Sequence, residues 1–158
     1  MNQIVVIGNG FDLSHGLKTR YLDFMLWYLN YVVQSLVTNF KFEDTLIKAS
    51  MQYRTELPKE FNSLKDFQDF RNLHKRISFE IKYDFMSRLL NQYGSPNWID
   101  IESKYYESLI SIYKEWKKEI PESFGYLLKE LKDLNKCFNL IKERLVEYLL
   151  IIESEEVN

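Results

Sequence analysis

The residues best suited to chemistry crowd into the opening stretch MNQIVVIGNGFDLSHGLKTRYLDF. Gly8, Gly10 and Gly16, three of only five glycines, stand there beside Asn9, Asp12 and His15. Behind the apolar run 4–7 the pattern reads as strand, glycine turn and helix start. Such an element aims backbone N–H groups at a phosphate, and glycine lets the ligand approach the main chain. The ordinary dinucleotide fingerprint needs glycine at its first, third and sixth positions, and Leu13 occupies the sixth. A P-loop fails as well, because no glycine–lysine–Ser/Thr follows. The competing reading makes Gly8 and Gly10 the hinge of a tight strand-to-helix turn and Gly16 a helix cap. His15 either donates to a phosphate or ribose or bonds locally within the turn.

A second constellation is acidic. Asp12, Asp100 and Glu102 would hold a divalent metal or supply a general base if they met in space, as in a nuclease-like enzyme. Otherwise Asp100 and Glu102 form the acidic first turn of a helix, favourable to its dipole. Lys114, Lys117 and Lys118 beside Tyr113 and Trp116 offer charge and stacking to nucleic acid. Glu115 and Glu119 interleave, so a solvated helix face is the preferred reading and nucleic acid is not an expected partner. His74 reads as a solvated helix residue and Cys137 as inert packing.

These residues need elements to hold them. The β-branched run 4–7 is the pattern of a strand buried on both faces, as in a parallel sheet. Thr19 is read as the cap of a helix carrying Tyr21, Phe24, Met25, Tyr28, Leu29, Val32 and Leu36. Further helices are predicted over 43–57, 64–93 and 101–120, then from Ser123 onward. Pro58, Gly94 with Pro96, and Pro121 are the breaks. The last helix has a heptad-like seam, read as packing within the domain rather than as a coiled coil. The expected fold class is α/β and predominantly helical: one N-terminal parallel-type strand with its glycine turn, and about five helices. One strand needs partners for its backbone groups. Either a weak segment such as FKF near Phe40 hides a strand, or the chain is the front portion of a larger fold.

Composition narrows the function classes. At 158 residues one domain (1–158) is expected, with a strand–turn–helix over 1–24 and a helical region over 25–158. The 46% hydrophobic and 28% charged content excludes disorder. A net charge of −2 gives no global attraction to nucleic acid or membrane. A lone cysteine excludes an intrachain disulfide and a cysteine-based zinc site, and the short run 4–7 is neither signal peptide nor membrane span. A cytoplasmic location is the expectation, and exposed strand edges point to self-association.

GNGFDLSHGLKTRYLDF resembles the opening motif of the phage abortive-infection AbiH family, through Gly8, Asn9, Gly10, Phe11, Asp12, Leu13, Gly16, Leu17, Thr19, Tyr21 and Phe24. NWIDIES resembles that family's tryptophan–acidic motif, through Trp98, Asp100 and Glu102. More distantly, Gly8, Gly10, Gly16 and Leu17 match the spacing of the sirtuin-type nucleotide-binding turn of a Rossmann-type core, with Asp12 replacing its serine and Lys18 its proline. The resemblance implies antiviral defence, with NAD or another nucleotide cradled by Gly8, Asn9, Gly10, Phe11, Asp12, His15 and Gly16. It also implies a phage component or partner subunit as binding partner, and nucleotide hydrolysis when the site is complete. An FNYT-like strand end and a later His–Gly pair, which the resemblance leads one to expect, do not occur after Gly16: Asn62 and Asn139 continue otherwise, and His74 precedes Lys75. On this reading the chain alone is inactive and forms the N-terminal part of a longer protein. A helical sensor without catalysis remains the alternative.

Overall fold

The computed structural model describes residue 16 and residues 18–91, 101–118 and 124–156. Helix α1 spans Tyr21–Asn39 and buries Phe24, Met25, Tyr28, Leu29, Val32, Val33 and Leu36, the stripe that its three-and-four spacing predicts. Its N-cap is Arg20 rather than Thr19. The Asp23 carboxylate accepts from the Arg20 backbone N–H at 3.1 Å and from its guanidinium at 2.9 and 3.1 Å. That carboxylate also lies where the helix dipole favours negative charge. The helix ends at Phe40, whose φ of 58° is left-handed and whose N–H donates to the Leu36 carbonyl at 3.1 Å.

The predicted helix over 43–57 does not form. Strands β1 (Lys41–Glu43) and β2 (Ile47–Met51) make an antiparallel hairpin instead, with Lys41 opposite Ser50 and Glu43 opposite Lys48. The turn between them decides this. Asp44 accepts hydrogen bonds from the N–H groups of Leu46 and Ile47, both at 2.8 Å, and its own N–H donates to the Ile47 carbonyl at 3.0 Å, which turns the chain back on itself as a hairpin. The strand near Phe40 that FKF foreshadowed is β1.

The predicted long helix over 64–93 is also broken. Helix α2 (Leu64–Leu73), capped by the Ser63 hydroxyl on the Asp66 N–H at 3.1 Å, stops at His74. Strand β3 (Ile77–Ile81) then pairs antiparallel with β2, Met51 facing Ile77, and helix α3 (Asp84–Leu90) follows. Ile77 and Ile81 fit helical spacing, but Ile77, Phe79 and Ile81 also alternate as a strand. The free edge of β2 selects the second option, because its backbone groups need a partner.

Helix α4 spans Ile101–Trp116 and helix α5 Phe124–Glu156. Along α5, Leu127, Leu134, Cys137, Ile141 and Tyr148 are buried, and the seam packs on α1, α3 and α4 of the same chain. Among the described residues the protein is therefore five helices around a three-stranded antiparallel sheet of order β1-β2-β3. That sheet contains no parallel strand, and nothing of a Rossmann-type core is seen among the described residues; the expected strand 4–7 lies outside them. No helix among the described residues is long and apolar enough to cross a membrane.

Candidate functional site

The glycine-rich stretch enters the described part of the chain at Gly16. Its φ is +81°, a conformation that side-chain-bearing residues rarely adopt, while an added Cβ would meet open space. The glycine is thus required by the backbone and not by crowding. Two residues later the Lys18 carbonyl accepts a hydrogen bond from the Tyr148 hydroxyl of α5 at 2.6 Å. The Tyr148 ring stands 5.3 Å from Trp27 and 6.0 Å from Phe24, centroid to centroid. The end of the glycine-rich stretch is fastened at one side to α5 and at the other to the Arg20–Asp23 clamp. Its exit into α1 is therefore fixed in direction.

Beneath that exit lies an uncommon group. The Tyr21 hydroxyl, at the first residue of α1, is buried with no hydrogen-bond partner among the described residues. Burial pushes its pKa well up, with the Cys137 thiol nearby adding to the shift. Cys137 is itself fully buried, and loss of solvent pushes its thiol up to about 12. It is inert packing, as its apolar setting suggests.

A polar junction that the sequence reading missed ties the hairpin to the helices. The buried Tyr28 hydroxyl donates to both Asp44 oxygens, at 3.0 and 2.8 Å, and Arg144 of α5 approaches the same carboxylate at 3.3 Å. Burial, then the Asp44 charge, raises the Tyr28 pKa far above the ordinary phenol range. Arg144 also pairs with Glu147 at 2.7 Å, and this bond is the main cause of its raised pKa. The signal available in sequence was the acidic turn residue in FEDT, but its distant partners on α1 and α5 leave no local trace. The arrangement is structural: each Asp44 oxygen is occupied by donors from this chain.

Of the residues singled out for chemistry, Gly8, Asn9, Gly10, Phe11, Asp12, His15 and Asp100 lie outside the described residues. Glu102 is exposed in the first turn of α4, where its charge suits the dipole. His74 caps α2 and lies 4.6 Å from the Phe70 ring, centroid to centroid. Among the described residues no three His, Cys, Asp or Glu side chains are grouped to hold a metal.

Two of the openings beside α4 differ in character. A cleft of about 270 Å³ between α3, α4 and α5 is lined by Lys82, Asp84, Arg88, Ser108, Lys129 and Glu130, among others. Three of its charges are already paired: Arg88 with Asp84 at 2.6 Å, and Lys82 with Glu43 outside the cleft at 3.0 Å. The other is an apolar groove of about 410 Å³ along α4 and α5, with Leu109, Tyr113, Trp116, Leu127, Leu128 and Leu131 in its walls. Lys117 lies 4.9 Å above the Tyr113 ring.

The family model for bacteriophage abortive infection AbiH matches residues 4–153, nearly the whole chain. The chain belongs to the AbiH family. In general terms its function is therefore that of AbiH proteins, abortive infection as a defence against phage. No curated protein and no solved structure gives a significant match. The AbiH match runs through both the glycine-rich stretch and the helical body, including the hairpin and β3, so these elements belong to one family pattern.

Proposed function

We propose that this AbiH protein handles a nucleotide, with residues 8–16 receiving the diphosphate of NAD or a related molecule. The supporting observation is Gly16: its left-handed backbone, two residues before the fastened Lys18 carbonyl, ends the stretch in a turn that only glycine adopts without strain. A glycine turn feeding a helix N-terminus is the geometry in which main-chain N–H groups meet phosphate. NAD-type hydrolysis would suit abortive infection, because depletion of a cofactor halts the host and with it the phage. That step rests on analogy of motif. With neither an FNYT-like strand end nor a His–Gly pair after Gly16 in the sequence, the 158-residue chain is expected to bind without turnover.

Titration calorimetry with NAD, ADP-ribose and magnesium tests the proposal. Binding of a nucleotide that Asp12→Ala and Gly16→Ala both weaken supports it. Wild-type protein that takes up no nucleotide sinks it. A second reading, a binding module without catalysis, is favoured by the apolar groove on α4 and α5, a surface with no catalytic groups in its walls. Nucleotide-independent protection against phage, lost on substitution in the groove, would establish that reading instead.

A further inference from the structure

The sheet of order β1-β2-β3 ends on β3, so one side of that strand has no neighbouring strand among the described residues. The ladder fixes which groups face outward. The Gln52 N–H donates to the Arg76 carbonyl at 3.3 Å and the Lys82 N–H to the Leu46 carbonyl at 2.9 Å, so the even-numbered residues of β3 bond inward to β2. Alternation then turns the N–H and C=O groups of Ile77, Phe79 and Ile81 outward. Among the described residues only the Ile77 N–H is answered, by the His74 carbonyl at 2.9 Å. An edge left open in this way is a template for another strand. The side chains alternate too. Ile77, Phe79 and Ile81 face the core, the last two only half-buried, while Ser78 and Glu80 are exposed on the outer face with Arg76. Arg76 and Glu80 have no ion-pair partner among the described residues, because Lys48 opposite Glu80 and Lys82 two residues on are both drawn to Glu43, at 3.6 and 3.0 Å.

We propose that β3 pairs antiparallel with β3 of a second copy, about a twofold axis beside Ser78, joining two three-stranded sheets into one. Charge selects this register. With Ser78 opposite Ser78, Arg76 of each copy stands opposite Glu80 of the other, and Ile77 opposite Phe79. Lys75 falls opposite Ile81, so no two Lys or Arg and no two Glu are opposed. An axis at Phe79 would set Arg76 against Lys82, and an axis at Glu80 would set the two glutamates against each other. An axis at Ile77 would ask for two N–H groups already taken. In the Ser78 register the Phe79 N–H of each copy donates to the Ile77 carbonyl of the other. The Ser78–Ser78 and Arg76–Glu80 positions are then the non-hydrogen-bonded ones, where Cα atoms approach to about 4.5 Å and side chains lie closest. Such a contact is isologous and closes at two copies. It needs no nucleotide.

Sedimentation equilibrium of the full chain tests the pairing, with Arg76→Glu and Glu80→Arg as variants at exposed positions. Wild-type protein forms a concentration-dependent dimer and nothing larger. Each variant alone loses dimer affinity by about tenfold or more, since like charges then meet twice. An equimolar mixture restores it, because the heterodimer opposes glutamate to arginine at both positions. Ser78→Cys, mildly oxidised, gives a disulfide-linked dimer, as Cα atoms about 4.5 Å apart allow. Ser50→Cys, on the same face one strand inward, does not. This second arm decides the matter if circular dichroism shows a charge variant to be misfolded. A wild-type monomer at all concentrations overturns the proposal. So does growth beyond two copies, a mixture of folded variants that does not regain association, or cross-linking of Ser50→Cys as fast as of Ser78→Cys.

Discussion

Replacing Asp44 by alanine isolates the junction that joins hairpin, α1 and α5. The carboxylate has only 10% of its side-chain surface exposed and receives the Tyr28 hydroxyl, the Leu46 and Ile47 N–H groups and Arg144. Tyr28 is 1% exposed, so its hydroxyl would lose its acceptor with no water to replace it. An orphaned buried hydroxyl costs about 1–3 kcal/mol, and hydrogen bonds to a charged acceptor are worth about 1.5–3 kcal/mol each before non-additivity. Arg144 keeps Glu147, and the turn N–H groups regain water, so these add less. Asp44→Ala should therefore destabilise by about 3–5 kcal/mol. Urea unfolding reads this as a lower midpoint at unchanged slope. Tyr28→Phe should cost about 1–2 kcal/mol alone and little more in the Asp44→Ala background, a coupling of about 1–2 kcal/mol. A loss below about 1 kcal/mol for Asp44→Ala, or a coupling near zero, would refute the reasoning. Asp44→Asn, which keeps an acceptor for Tyr28 and the turn, should fall in between.

Tyr21→Phe removes the buried hydroxyl that has no partner among the described residues and should stabilise by about 1 kcal/mol, raising the melting midpoint by about 2–4 °C. A lower midpoint would show that the hydroxyl is satisfied. Gly16→Ala should destabilise by about 1 kcal/mol through its left-handed φ alone, since no atom lies near the added methyl. A loss several times larger in urea unfolding would mean that steric crowding contributes. The Cys137 thiol, held up at about 12, should resist a thiol reagent at pH 8 in the native protein and react at once in denaturant. Because this folded pKa is raised, its contribution is complete below the free thiol's pKa near 8.5 and drains away as pH rises toward about 12. Cys137→Ala should flatten that alkaline loss of stability, and an unchanged profile would remove the thiol as its cause.

The helices with long, regular apolar spacing were legible. The stripe on α1 and the seam of α5 occur where the three-and-four pattern puts them, because a helix that must bury one face writes that period into its sequence. The predicted stops at Gly94 and Pro121 lie outside the described residues. The middle of the chain misled. Glu43 to Leu57 and the stretch around Ile81 have enough apolar residues for helices, but strand pairing is non-local. Asp44 turns the chain, and β2 then offers β3 an edge that no single segment reveals.

The sequence alone determined the family, through a glycine-rich opening and a tryptophan–acidic motif whose residues can be read without folding them. It also determined the helices with long, regular apolar stripes, α1 and α5, since helical contacts are local. Tertiary structure alone decided that one predicted helix and the middle of another give way to an antiparallel sheet. It alone joined Tyr28, Asp44 and Arg144 across three elements, and left the Tyr21 hydroxyl without a partner among the described residues. The physical reason is the same each time: hydrogen bonds and burial between residues far apart in the chain are settled only when the elements meet.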